Sequence, residues 1–461
     1  MDINDYIMFF VYTIVFYFIF KSRRTFYADP VLKHYHKIGF WIKIFSTIAF
    51  TIFNYKISLG DSVVLYWREG YNIFQLIQHD ISNVKLLFIH GKDYDQALLA
   101  DVWNAGYFND ENNYMVTKIV AALSFLTFGK YMAINLFFSM ISFSGVWRLY
   151  RFFYNLYPHL HKQLAIAILY LPTFVFWSSG ILKDPICTGA IGWITFSLYE
   201  MFYKKQSLIK NSIILLVAGY FLVNLKIYIL VSYVPFFFLF LIMKNVNLIR
   251  NSFVRMMIGP ALIIGSVFVG QQVMKKFEKE LGGYAAENIA KQIQHQQQTY
   301  QDQAALGIGE SNFSLGVEFD GSMSSMLKMA PAAIVATLYR PFIWESTKVS
   351  TMLSSLESMA LIIFTLATLF KVGIFNFFRI IGKDPTITYC FLFALLFALF
   401  VGATTPNFGT LCRYKIPCMP FYVIALVLIR DRYRRTKLSG AAIKAKPAKE
   451  EPVFQFQPQL A

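Results

Sequence analysis

The chain has 461 residues, of which 56% are hydrophobic, 18% aromatic and 15% charged, and its mean hydropathy is +0.48. Soluble domains carry about a quarter charged residues, so this chain has too few polar side chains to cover a soluble fold, and an ordinary soluble enzyme is excluded. Its 43 Lys and Arg against 26 Asp and Glu give a formal charge of +17, which fits Lys- and Arg-rich cytoplasmic loops of a membrane protein better than a nucleic-acid surface.

The first apolar stretch, Tyr6 to Phe20, is followed by Lys21, Arg23 and Arg24. A cleaved signal has its charges before the apolar run, so this one reads as a retained span. Further segments long enough, or nearly so, to cross about 30 Å of hydrocarbon are centred in 39–55, 131–149, 164–181, 186–203, 211–225, 228–243, 252–270, 352–372, 386–404 and 417–432. The expectation is an all-α polytopic transmembrane helical bundle of about 11 spans, forming one domain over residues 1–437.

Basic clusters set the orientation. Lys21 to Arg24, Arg148 with Arg151, Lys204, Lys205 and Lys210, Lys244 with Arg250 and Arg255, Lys371 with Arg379 and Lys383, and the tail from Arg430 all read as cytoplasmic. They agree with one another only if 114–129 does not cross, so that stretch is expected to be an amphipathic surface helix in the first large outer loop. Three outward segments result, 56–130, 271–351 and 405–416. The second holds a Gln-rich stretch, Gln292 to Gln303, and Gly307, Gly309, Gly316 and Gly321. Residues 438–461, rich in Ala, Lys, Pro and Gln, read as a disordered cytoplasmic tail.

Four outward sites carry chemistry. In Leu59-Gly-Asp-Ser-Val-Val-Leu-Tyr-Trp-Arg-Glu-Gly70, Asp61 leaves an apolar helix at the lipid boundary, where a carboxylate can act as general base or cap a surface helix. Tyr66 and Glu69 are supporting candidates. In Trp177-Ser-Ser-Gly-Ile-Leu-Lys-Asp-Pro185, Lys183 and Asp184 sit beside lipid, either as functional groups or as a loop ion pair before Pro185. Tyr339-Arg-Pro-Phe-Ile-Trp-Glu345 places Arg340 and Glu345 around aromatic residues, with Trp344 suited to a sugar face or to interface anchoring.

Arg413 and Lys415 run against the positive-inside tendency, and a phosphate at the outer surface, of substrate or of lipid, gives a reason for them. Glu357 reads equally as a helix-terminal residue or a site member. The four cysteines show no zinc spacing; Cys412 and Cys418 could pair in an outward loop, or remain thiols. No HExxH, nucleotide or kinase motif occurs.

The outward Asp after an early span, the long first outer loop, the Phe128-Gly129 step into a span ending Leu149-Tyr150-Arg151 and the Pro-containing span ending in a short acidic turn together resemble the GT-C superfamily of polytopic glycosyltransferases. The resemblance covers roughly 39–205, with weaker support from Arg413-Tyr-Lys415. The Trp177 to Asp184 string is similar to uncharacterised multispan proteins encoded with bacterial surface-polysaccharide genes. It implies a polyprenyl-phosphate-sugar donor, Asp61 as the catalytic carboxylate and Asp184 as a second substrate contact. Arg340, Arg413, Lys415 and Lys183 would then hold phosphate.

The expected location is the bacterial inner membrane, with the active site outside and the C-terminus in the cytoplasm. Expected partners are membrane lipid, the lipid-linked sugar, and a glycan, lipid or protein acceptor. Gly60-Asp-Ser62 replaces a paired acidic motif of better-known members and no large soluble C-terminal domain follows, which leaves the cofactor unknown and a divalent metal open. A polysaccharide polymerase or ligase using outer-loop arginines, a transporter of a lipid-linked solute, and a non-catalytic envelope component are the competing expectations.

Overall fold

The computed structural model describes residues 1–102, 106–245, 298, 302, 311–316, 323–346 and 348–444. The expected span at 252–270 and most of the 271–351 segment lie outside the described residues, as do 445–461. Among the described residues the regular structure is helical, apart from a single bridge pairing Asn312 with Asn407.

Helices α1 (Ile3–Thr25) and α2 (Pro30–Ile52) begin at Asp caps: Asp2 accepts from the Asp5 amide, and Asp29 accepts from Val31 with Pro30 opening the helix. The first outer segment then folds as α3 (Arg68–His79), a series of short 3-10 turns and α4 (Glu111–Thr127). These share a small core of Ile73, Ile77, Leu86, Tyr94, Phe108 and Tyr114. The stretch expected to lie on the outer surface is thus α4, with Tyr114, Val116 and Val120 fully buried, and with Phe125, Leu126 and Phe128 exposed near its end.

Two helices form the centre, α5 (Tyr131–Leu156) and α8 (Lys183–Phe202). They approach so closely that a Cβ on Gly145 would lie 1.9 Å from the Gly189 carbonyl oxygen, the small-residue contact that lets helix backbones touch in lipid. Between them the chain forms α6 (His161–Leu169) and α7 (Pro172–Trp177). After α8 comes α9 (Leu208–Asn245), then α10 (Met323–Tyr339), α11 (Val349–Val372), α12 (Ile374–Lys383), α13 (Pro385–Thr404), α14 (Phe408–Tyr414) and α15 (Met419–Lys444). Helix α15 continues past Lys437, where the sequence placed the start of the tail.

Among the described residues, six helical runs are long and apolar enough to cross a membrane: Ile3–Thr25, Pro30–Ser58, Tyr131–Leu156, Leu208–Lys244, Thr351–Val372 and Pro385–Thr404. A seventh arises if α14 and α15, bent by 63°, count as one. This corrects the expectation of about eleven, for physical reasons. The segment 164–181 is broken by Pro172, which has no amide hydrogen to donate, into helices of 9 and 6 residues, too short for about 30 Å at 1.5 Å per residue. Helix α8 carries Lys183, Asp184 and Glu200 within its 20 residues and is less apolar than a lipid-facing span. The segments 211–225 and 228–243 are counted once, as α9, although Lys226 leaves helical geometry (φ −153°, ψ 73°) and divides the run there.

At Lys226 the chain turns back. After it, Lys226 bonds Asp184 and Tyr233 meets Thr195, so the second half of α9 runs alongside α8 in the same direction. Before it, the link 203–207 spans at most about 22 Å and must bring Leu208 back to the end of α8. A straight α9 would carry Leu208 about 54 Å from that end. Lys226 therefore lies at a corner, level with the start of α8.

Candidate functional site

Asp61 stands between two wide-turn segments. Residues Phe53–Ser58 and Ser62–Trp67 are π-helical, and between them Leu59 takes a left-handed backbone (φ 43°). Such turns are frequent at functional sites, and here they leave the carboxylate with its side chain 47% exposed.

Opposite it, Asn407 caps α14 by accepting from the Thr410 amide, and the last turn of this short helix presents Arg413. The guanidinium bridges two carboxylates: Nε donates to Asp184 Oδ2 at 2.6 Å, and NH1 donates to Asp61 Oδ2 at 3.2 Å. Lys226 Nζ donates to the other Asp184 oxygen at 2.6 Å and lies 4.2 Å from the centre of the Tyr414 ring. Burial opposes the charge on Asp184, but Lys226 and Arg413 outweigh it and hold the carboxyl below its ordinary range.

Next to Asp184, Lys183 Nζ donates to Asn112 Oδ1 at 2.5 Å and makes no salt bridge among the described residues. Burial, with help from Lys226 and Arg413, pulls its ammonium down to about 7. Tyr66 meets the Tyr107 hydroxyl at 3.1 Å and donates to Asn113 Oδ1 at 3.2 Å. Burial raises both phenols, so they remain hydrogen donors. The cluster thus holds three basic groups, Lys183, Lys226 and Arg413, against two carboxylates, Asp61 and Asp184.

The turn that carries Lys183 and Asp184 is clamped from three sides. Lys43, buried in α2, donates to the Ser178 carbonyl and hydroxyl, both at 2.6 Å, and to Ser179 at 3.2 Å. Asn135 accepts from the Ile181 amide at 2.8 Å. Gly180 leaves no room for a Cβ, which would sit 2.0 Å from the Phe50 ring.

The remaining expected residues lie elsewhere. Lys415 is fully buried and donates to the Arg340 carbonyl at 3.0 Å and to Ser358 at 3.1 Å. Arg340 is held by Glu345 and covers the Phe313 ring at 4.2 Å. Phe313 itself stacks on Phe408 at 4.5 Å, so this knot fastens the described part of the second outer segment to α14. Trp344 is exposed and stacked on Phe342. Glu69 is buried and accepts from the Ala100 amide at 2.6 Å; burial raises its carboxyl, and it ties α3 to the loop after it. Glu357 accepts from the Thr173 amide at the start of α7 at 2.8 Å. Cys412 and Cys418 are buried free thiols.

Asp61, Lys183, Asp184 and Arg413 are thus brought together with Tyr66, while Lys415, Arg340, Glu345, Trp344 and Glu69 are not part of that cluster. The sequence reading missed Lys226, Lys43, Asn112, Asn113, Tyr107 and Tyr414. A lone Lys inside an apolar run is the signal that marks the first two.

Among the described residues no three His, Cys, Asp or Glu side chains gather so as to hold a metal ion. These features define a helical protein with apolar runs able to span a membrane and a charged cluster at one end of its bundle. No protein-family model, curated protein or solved structure matches the chain.

Proposed function

We propose that this protein is a membrane glycosyltransferase of the GT-C type, moving a sugar from a polyprenyl-phosphate donor to an acceptor outside the cytoplasm during cell-surface glycan assembly. On this reading it sits in a bacterial cytoplasmic membrane, with Asp61 facing outward and the C-terminus in the cytoplasm. The observation that carries the proposal is Asp61, a half-exposed carboxylate 3.2 Å from Arg413, within a cluster that has one more basic group than acidic ones.

The chemistry follows from these groups. The donor phosphate competes with Asp61 for NH1 of Arg413, a partly exposed pair of the kind worth at most about 1 kcal/mol, while the buried Nε contact to Asp184 stays. Freed, Asp61 takes the proton of the acceptor hydroxyl. The acceptor oxygen bonds to the anomeric carbon, the bond from that carbon to the phosphate oxygen breaks, and its electron pair leaves with polyprenyl phosphate. Arg413, Lys226 and Lys183 face the charge that develops there. A single displacement inverts the anomeric centre.

The test is the purified chain in liposomes with a panel of polyprenyl-phosphate sugars and candidate acceptors, reading free polyprenyl phosphate and the product anomer. Release with inversion supports the proposal. Retention of configuration, or movement of the intact donor across the bilayer with no bond broken, overturns it.

A further inference from the structure

A second charged site lies toward the other end of the bundle. Helices α6, α11 and α15 border a half-open cavity of about 250 Å3, lined among others by Phe364, Lys371, Val427, Arg430, Asp431 and Arg434. This is below the roughly 300–1,000 Å3 of a pocket enclosing a drug-sized molecule, and of a scale for a headgroup. Lys371 follows Ser358, the Lys415 partner, by 13 residues on α11, so the cavity lies about 20 Å along the helix from that knot.

Its charge is uncompensated. Asp431 is the one acid in the lining, and its Oδ2 is already 2.9 Å from Arg435 and 3.0 Å from His159. Arg434 reaches Asp431 Oδ1 only at 4.0 Å, and that oxygen has no hydrogen-bond partner. Arg430 covers the Phe364 ring at 5.2 Å, and neither it nor Lys371 pairs with a carboxylate among the described residues. Beside Lys371, the exposed apolar residues Ile363, Leu366 and Phe370 of α11 form a stripe at helical spacing.

We infer that this cavity binds the headgroup of an anionic glycerophospholipid bearing a hydroxyl, with its phosphodiester on Lys371 and Arg430 and its acyl chains along Ile363, Leu366 and Phe370. The headgroup hydroxyl donates to Asp431 Oδ1. Basic pockets between spans recognise anionic headgroups in this way. The inference rests on the chain being embedded in lipid and not on sugar transfer.

The test is native mass spectrometry of the full chain, delipidated in detergent and titrated with phosphatidylglycerol or phosphatidylcholine. One phosphatidylglycerol per chain is expected, bound at least about fivefold more tightly than phosphatidylcholine, and Lys371→Gln should lose about fivefold for the anionic lipid alone. Lys371 is exposed and makes no hydrogen bond among the described residues, so the substitution leaves the fold intact; Arg430→Gln, at the other phosphodiester contact, gives a second reading of the same loss. Equal binding of the two lipids, unchanged binding in both variants, full competition by inorganic phosphate, or a preference for polyprenyl phosphate over phosphatidylglycerol would each overturn the assignment.

Discussion

Arg413 and Asp184 stand 229 residues apart in the chain, and their side chains meet at 2.6 Å. Asp184 is fully buried, so the contact joins α14 to α8 and fixes the guanidinium whose far side reaches Asp61.

Removing Arg413 should therefore cost stability as well as activity. Stripping one partner from a buried pair costs about 3–5 kcal/mol, and because Lys226 remains on Asp184, Arg413→Met should fall near the lower end. Unfolding in detergent measures it. Asp184→Asn combined with Arg413→Met should cost less than the sum of the single changes, since the two share one interaction; simple additivity would contradict the arrangement.

Lys43 predicts an effect on turnover from a residue that touches neither sugar nor phosphate. It holds Ser178 and Ser179, and through them the turn bearing Lys183 and Asp184. Because a displacement of about 1 Å can cost 10²-fold in rate, Lys43→Met should lower kcat by roughly tenfold or more while leaving KM little changed. Loss of KM with kcat intact would show that Lys43 does not position the turn.

The Lys183 ammonium gives a pH dependence whose sign is fixed. Its folded value of about 7 lies below the ordinary 10.5, so between these limits the unfolded chain binds more protons and stability rises with pH. Below about 7 the charged amine weighs fully against the fold. The wild-type Tm should climb from pH 7 toward pH 10 more steeply than that of Lys183→Met, and equal slopes would refute the assignment.

Gly145→Ala tests the centre of the bundle. Its Cβ would meet the Gly189 carbonyl oxygen at 1.9 Å, and backbone on both sides cannot yield as a flexible side chain does. Overpacking costs about 1–3 kcal/mol or more, read as a lower Tm. An unchanged Tm would place α5 and α8 farther apart.

Much of the cluster is legible in the sequence: Asp61, Lys183 and Asp184 stand out as charges beside apolar runs, and Arg413 as a cation that runs against the positive-inside tendency. Lys415 was misjudged as their neighbour because residues two apart on a helix point about 200° apart, and it turns to Ser358 instead. Lys226 was hidden as the short link between two apolar segments, although it is the corner that delivers a cation to Asp184. Asn112, Asn113 and Tyr107 lie in a polar loop where no periodicity separates them from their neighbours. The span count differs for a related reason: apolarity along the sequence does not reveal a helix broken at Pro172.

The most direct measurement is the rate of polyprenyl-phosphate release from a lipid-linked sugar by Asp61→Asn beside Arg340→Ala, in the same liposomes as the wild type. The account predicts that Asp61→Asn loses at least about 10²-fold in kcat, as expected when a general base is removed, while Arg340→Ala, whose guanidinium is engaged by Glu345, keeps most of its activity wherever it folds. Full activity in Asp61→Asn with loss in a folded Arg340→Ala would contradict it.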